Sequence, residues 1–312
     1  MTIFVASAML RPMLEAQLPQ WVEPRWFSSK EEAVALAPEA EIGWFDMINK
    51  ADMFEVIGKA TRLKWLNSIY AGVDGMPLEQ LATQGTIVTN GSGINAITIA
   101  EYVVMAMLTI AKGYDEIVRA GDRHEWLDNA PGVAELYQSS ALIIGYGAIG
   151  QLIETRLAAF GVATRAVRSK AGPGVLGPDE WRGQLGLFDW VILAVPGTPE
   201  TDGMIGAAEL TAMKNSATLI NIARGSVIDQ DALVTALANK EITHAFLDVT
   251  TPEPLPSDHP LWSLPNARIT MHLSGKSQTR MFERSVERFL ANLARWEKGD
   301  AVAPQVDLAK GY

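Results

Sequence analysis

Short apolar runs recur along this chain, separated by stretches with helical spacing. The runs at residues 3–6, 42–45, 65–69 and 86–89 read as strands with helical patterns between them. A long helix over residues 97–111 opens a second series, with strands predicted at 141–144, 163–167, 190–194, 217–221, 244–248 and 268–271. Runs such as Trp190-Val191-Ile192-Leu193-Ala194 are apolar throughout rather than alternating, which a strand covered on both faces requires. This alternation of strand and helix predicts α/β architecture with doubly wound parallel sheets. A final helix is predicted from Met281 to Lys298.

The strand at 141–144 runs straight into Gly145-Tyr146-Gly147-Ala148-Ile149-Gly150, a G-x-G-x-x-G turn. An apolar helical run (151–160) and a strand (163–167) complete a βαβ unit. The first glycine allows the tight turn, the second lets the backbone approach a pyrophosphate, and the third lets helix and strand pack closely. The helix N-terminus offers N–H groups to the anion. With its strand, helix and second strand in place, the motif points to dinucleotide binding rather than to a structural turn. A second match, Gly91-Ser92-Gly93-Ile94-Asn95-Ala96, lacks a following strand and reads as a loop entering a helix. The expected fold is two Rossmann-like doubly wound domains with an interdomain cleft: a substrate domain (1–94 plus 284–312) and a dinucleotide-binding domain (95–283).

Composition narrows the partners. A net charge of −10 offers no basic excess to offset phosphates, so no nucleic-acid partner is expected. Zero cysteines exclude disulfides, thiolate catalysis and Cys-ligated metals, and no metal site is expected. The N-terminal run at 3–10 has no basic residue before it and reads as a first strand rather than a signal peptide. No apolar stretch reaches the ~18 residues of a membrane span. A cytoplasmic protein without a membrane partner is the expectation.

The second strand of the βαβ unit decides which dinucleotide is expected. An NAD site usually carries an acid there for the ribose 2′-hydroxyl. This strand ends Val167-Arg168-Ser169-Lys170, and the only acid between 151 and 178 is Glu154, inside the helix. Two cations and a hydroxyl suit a 2′-phosphate, so NADP(H) is the preferred cofactor and NAD(H) the alternative. A solvated basic loop would leave the same residues.

Chemistry is expected at the carboxyl ends of strands. Of four histidines, His124 lies in a charged segment, His244 inside a strand, and His259 in a proline-rich surface loop; His272 alone follows a strand end. Arg224 ends the run 219–223, and Glu253 follows strand residue Asp248 by five positions. Singly, Arg224 could pair with a neighbouring acid and Glu253 could be a solvated loop acid; all three lie just past strands on one face of a sheet.

These residues carry a resemblance. Asn221-Ile222-Ala223-Arg224-Gly225, the segment from Asp248 to Leu255, Thr270-Met271-His272, Val195-Pro196 with Thr198 to Thr201, and Ala71-Gly72-Val73-Asp74 resemble, in order, the motifs of the D-isomer-specific 2-hydroxyacid dehydrogenases. Thr279-Arg280 and the ending from Gln305 to Tyr312 resemble the glyoxylate/hydroxypyruvate reductase A branch. One departure is Met271, where the family usually has proline; Leu273-Ser274-Gly275-Lys276 after the histidine is another.

The resemblance implies NADP(H)-dependent reduction of short 2-keto acids. His272 would be the general acid, Glu253 would hold its imidazole and favour the charged form, and Arg224 would orient the substrate and polarise its carbonyl. Gly72 and Val73 would bind the substrate carboxylate through backbone N–H groups, and Arg280 would assist. Gly145, Gly147, Ala148, Ile149, Val195, Pro196, Ala223 and Asp248 would line the cofactor, Asp248 at the nicotinamide amide. Trp44 and Phe45 would wall the pocket or serve as core aromatics. A homodimer built around 96–137 is also implied. Two alternatives stay open: another dehydrogenase of this family, such as a phosphoglycerate dehydrogenase (a formate dehydrogenase would have Gln for Glu253), or a non-catalytic nucleotide-sensing protein of the same fold.

Overall fold

The computed structural model describes residues 1–73, 75–276 and 278–310. Asp74 of the 71–74 motif, and Gly311 and Tyr312 of the ending, lie outside the described residues. The chain divides into two compact units, Met1–Asn95 with Gln278–Tyr312, and Ala96–Ser277. The return to the first unit falls at 278 rather than 284. Gln278 Nε2 donates to Asn95 Oδ1 (2.7 Å), and Arg284 Nη1 donates to Gln278 Oε1 (3.0 Å), which fastens that segment to the first unit.

The first unit holds five parallel strands: β1 (Thr2–Ser7), β2 (Val22–Phe27), β3 (Ile42–Trp44), β4 (Trp65–Asn67) and β5 (Ile87–Thr89), in the order β2-β1-β3-β4-β5. Strand β2 was not expected. Its sequence, Val-Glu-Pro-Arg-Trp-Phe, breaks the apolar pattern, and Pro24 is tolerated because the strand is an edge. Side chains alternate between two cores. Phe4, Ile42, Trp44 and Trp65 face a layer with Phe289 and Leu293 of the helix Met281–Lys298, where Phe289 stacks on Phe4 at 4.9 Å. Val5, Phe45, Leu66 and Val88 pack with Met53, Val56 and Ile57 of the helix Lys50–Lys59.

The second unit holds seven parallel strands: β6 (Ser140–Ile144), β7 (Ala163–Val167), β8 (Val175–Leu176), β9 (Trp190–Leu193), β10 (Thr218–Asn221), β11 (His244–Leu247) and β12 (Ala267–Ile269). Their order is β12-β11-β10-β9-β6-β7-β8, so the sheet reverses direction at β6/β9, the position where doubly wound sheets take ligands. Leu142, Ile144, Val191, Leu193 and Leu219 belong to one core, and Ala141, Ile143, Trp190, Ile192 and Ile220 to the other. Both faces are covered, which is why these strands read as continuous apolar runs.

Candidate active site

The turn after β6 fits a pyrophosphate residue by residue. Gly145 has φ +106°, and a Cβ there would lie 2.4 Å from the Ala194 carbonyl oxygen at the end of β9. A Cβ on Gly150 would lie 2.2 Å from the Gly145 carbonyl oxygen, so the third glycine seats the helix Ala148–Ala159 against the turn. Gly147 alone of the three has nothing within 4 Å of a Cβ. It is the N-cap, and no side chain caps the helix. Open space over an uncapped helix start, beside Ala148 and Ile149, is what an approaching anion needs. The Gly91/Gly93 segment is a loop entering the helix Ala96–Lys112, as expected; a Cβ on Gly91 would lie 1.8 Å from the Ile69 carbonyl oxygen.

Past β7, Arg168, Ser169 and Lys170 are exposed, and the Arg168 N–H donates to the Leu176 carbonyl of β8 (2.9 Å). The helix acid Glu154 is engaged elsewhere. It accepts from the Tyr146 hydroxyl and, at 3.2 Å, from Thr164 Oγ1.

Adjacent strand ends bring the other candidates together. After β9, the Val195-Pro196 segment leads to Gly197, where a Cβ would lie 2.8 Å from Arg224 Cγ; the arginine stem therefore crosses that glycine. After β10, buried Asn221 shapes the turn, accepting from the Ala223 N–H (3.0 Å) and donating to the Arg224 carbonyl (2.9 Å). Gly225 lets this segment run against the one after β11, since a Cβ would lie 2.1 Å from the Thr250 carbonyl. Glu253 Oε1 accepts from the Thr250 N–H (3.2 Å), and its Oε2 lies 2.8 Å from His272 Nδ1. Both side chains of the pair are partly exposed, 45% for His272 and 38% for Glu253, so the imidazole is open to a ligand.

His272 stands in a left-handed turn, with φ +55° at Met271 and +57° at His272. Such backbone costs about 1–3 kcal/mol per non-glycine residue and persists only where its surroundings enforce it. Asp248 does so. Its carbonyl accepts the His272 N–H (2.6 Å), and its 2%-exposed carboxylate accepts from Thr270 Oγ1 (2.8 Å), the Leu273 N–H (3.0 Å), and the Ser274 N–H and hydroxyl. Asp248 was expected at the nicotinamide amide; the structure shows its carboxylate taken up by the 270–274 turn.

In the first unit, Gly72 and Val73 lie in the loop between β4 and the helix Leu78–Gln84, Val73 being buried. Trp44 is 1% exposed, packs on Phe289 at 5.1 Å and donates its indole N–H to Asp46 Oδ2 (2.6 Å). Of the two readings, pocket wall and core aromatic, this burial supports the second for Trp44 and for the equally buried Phe45. Arg280 is exposed at the start of the last helix and pairs with Glu283 (2.8 Å). His259 is a half-buried N-cap rather than a surface residue, its Nδ1 accepting from the Leu261 N–H (3.2 Å).

Asn221, Thr270, Ser274 and Asp46 take part in these turns without having stood out individually in the sequence. Asp46 sits just past β3, half-buried, and accepts from Trp44, Ser68 and Ile69; burial outweighs these donors and pushes its carboxyl up to about 6. Its only signal in the sequence is an acid directly after an apolar run.

Comparison with known proteins agrees with this geometry. Residues 104–274 match the model of the D-isomer specific 2-hydroxyacid dehydrogenase NAD binding domain. A mouse glyoxylate reductase/hydroxypyruvate reductase is 32% identical, over 79% of this chain and 77% of that protein. A D-3-phosphoglycerate dehydrogenase of Methanocaldococcus jannaschii is 33% identical, over 72% of this chain but 44% of that protein. A D-isomer specific 2-hydroxyacid dehydrogenase from Xanthobacter autotrophicus Py2, solved with NADPH and MES, superposes with a TM-score of 0.78 at 26% identity, covering 100% of this chain and 99% of that one.

Proposed function

The chain belongs to the D-isomer specific 2-hydroxyacid dehydrogenase family of NAD(P)-dependent oxidoreductases, and from that premise we propose that it reduces glyoxylate and hydroxypyruvate to their 2-hydroxy acids with NADPH. The observation that carries this reading is the His272–Glu253 pair at the strand ends of the dinucleotide-binding sheet, with Arg224 beside the Glu253 segment.

When bound, the nicotinamide supplies the hydride. Glu253 fixes the imidazole by accepting from Nδ1, and His272 delivers a proton from Nε2 to the carbonyl oxygen as the hydroxyl forms. Arg224 offers its planar fork of donors to the keto acid and stabilises the developing oxyanion. Backbone N–H groups of Gly72 and Val73 hold the carboxylate, and Arg280 assists. Gly145, Gly147, Ala148 and Ile149 take the pyrophosphate, Val195, Pro196 and Ala223 line the nicotinamide end, and Arg168, Ser169 and Lys170 take the 2′-phosphate. The solved NADPH complex of the Xanthobacter relative supports the cofactor choice.

The same reading makes the protein a cytoplasmic homodimer built around 96–137. The exposed apolar side chains of Tyr114, Ile117, Val118, Trp126 and Val133 support that interface.

The test is steady-state kinetics with NADPH and NADH over a panel of 2-keto acids. The highest kcat/KM is expected with NADPH and glyoxylate or hydroxypyruvate. A best substrate outside this pair makes the protein another dehydrogenase of the family. No turnover with any keto acid and either cofactor favours a nucleotide-sensing protein.

A further inference from the structure

The stretch of loop leading from β4 to Gly72 and Val73 is held from two sides. On one side stands Asp46, just past β3. Its Oδ1 accepts from the Ser68 hydroxyl (2.6 Å), and its Oδ2 accepts from the Ile69 N–H and the Trp44 indole (2.6 Å each). Ser68 Oγ in turn accepts from the Tyr70 N–H (3.2 Å), and the Tyr70 hydroxyl donates to the Met47 carbonyl (2.8 Å).

On the other side, Asn90 Nδ2 donates to the Ala71 carbonyl (2.6 Å), and the Gly91 N–H donates to the Tyr70 carbonyl (2.8 Å). Residues 68 to 71 are thus each fixed by a neighbouring segment. Further along, the Val73 side chain is buried in the core of this unit, with Tyr70 packed against the same core. The peptides of Gly72 and Val73 thus lie between the fixed 68–71 segment and the buried Val73 side chain.

We infer that Asp46 is the positioning residue of the substrate-carboxylate loop: by holding Ser68 and Ile69 it aims the amides of Gly72 and Val73. This rests on the proposal that those amides bind the substrate carboxylate. The carboxylate form is suited to the task, because it is acceptor-only and three donors converge on it. An asparagine of the same size would turn an N–H₂ group toward at least one of those donors.

The experiment compares the full-length protein with Asp46→Asn and Ser68→Ala. Kinetics with NADPH and glyoxylate, NADPH binding by fluorescence and amide hydrogen exchange across 69–73 are measured on each. Asp46→Asn should raise the KM for glyoxylate about tenfold while leaving kcat within about twofold, as loss of uniform substrate binding does. NADPH affinity should not change, and exchange across 69–73 should accelerate. Ser68→Ala should move the same readouts the same way by less, since it removes one of the three donors.

Unchanged KM and unchanged exchange in Asp46→Asn would overturn the inference. So would a fall in kcat and NADPH affinity together with Tm, which marks a merely structural residue. Wild-type protein inactive on every keto acid would instead overturn the functional reading, and with it the substrate half of this inference; the exchange result would still decide whether Asp46 holds the loop.

Discussion

His272 Nδ1 and Glu253 Oε2 stand 2.8 Å apart, joining the turns that follow β12 and β11. An imidazole whose Nδ1–H donates a hydrogen bond to a carboxylate has its tautomer and ring orientation fixed, and Nε2 is left to exchange a proton with a ligand. The pair works only because two neighbouring strands end at the same level. Gly225 lets the Arg224 segment lie against Thr250, which brings the third residue to the same strand ends.

His272→Asn should lose about 10²–10⁴-fold in kcat, the usual worth of a positioned acid, with NADPH affinity unchanged. Glu253→Gln should lose about tenfold to a hundredfold, the cost of a hydrogen bond to a charged group. Turnover and fluorescence titration on the same samples check both. Parallel loss of nucleotide binding would show that the pair is structural.

Arg224→Lys should reduce kcat/KM for keto acids about a hundredfold, because a point charge cannot reproduce a bidentate fork. Near-normal kcat/KM would demote Arg224 to a residue that packs over Gly197.

Arg168→Ala should weaken NADPH by about 1–3 kcal/mol and leave NADH nearly untouched, since only NADPH carries the 2′-phosphate. Titration with both cofactors checks this. A preference for NADH in the unmodified protein would refute the cofactor assignment.

Asp46 gives a pH signature in stability. Burial raises its folded pKa to about 6 from an ordinary value of 3.8, so the folded state binds this proton more tightly than the unfolded chain does, while above 6 the group is the carboxylate that holds the loop. Its stabilising contribution is full below 3.8 and is lost as pH rises through 6. The Tm of the wild type relative to Asp46→Asn should therefore rise as pH falls from ~7.5 to ~4.5. A gap that stays constant across this range would contradict the raised value.

Much of this arrangement was legible in the sequence for a physical reason. The strands of the second sheet are buried on both faces, so their residues are apolar without interruption, and the turn after β6 has steric demands at Gly145 and Gly150 that only glycine meets. The edges were not legible. β2 carries Glu23, Pro24 and Arg25, and β8 is two residues long, so neither has a pattern to read. Nor could an apolar run followed by aromatics tell a pocket wall from a core, which is why Trp44 needed its contact with Phe289. The turns after strands were legible as places, but not as networks. Asp248 and Asp46 are both acids just past strands, and only the donors around them show which loops they hold.

The most direct test of the account is the initial rate of NADPH oxidation with glyoxylate and hydroxypyruvate, on folded protein whose NADPH binding is measured in the same sample. The account predicts saturable turnover with accumulation of the corresponding 2-hydroxy acid, abolished by His272→Asn. NADPH binding without turnover on either keto acid would contradict it.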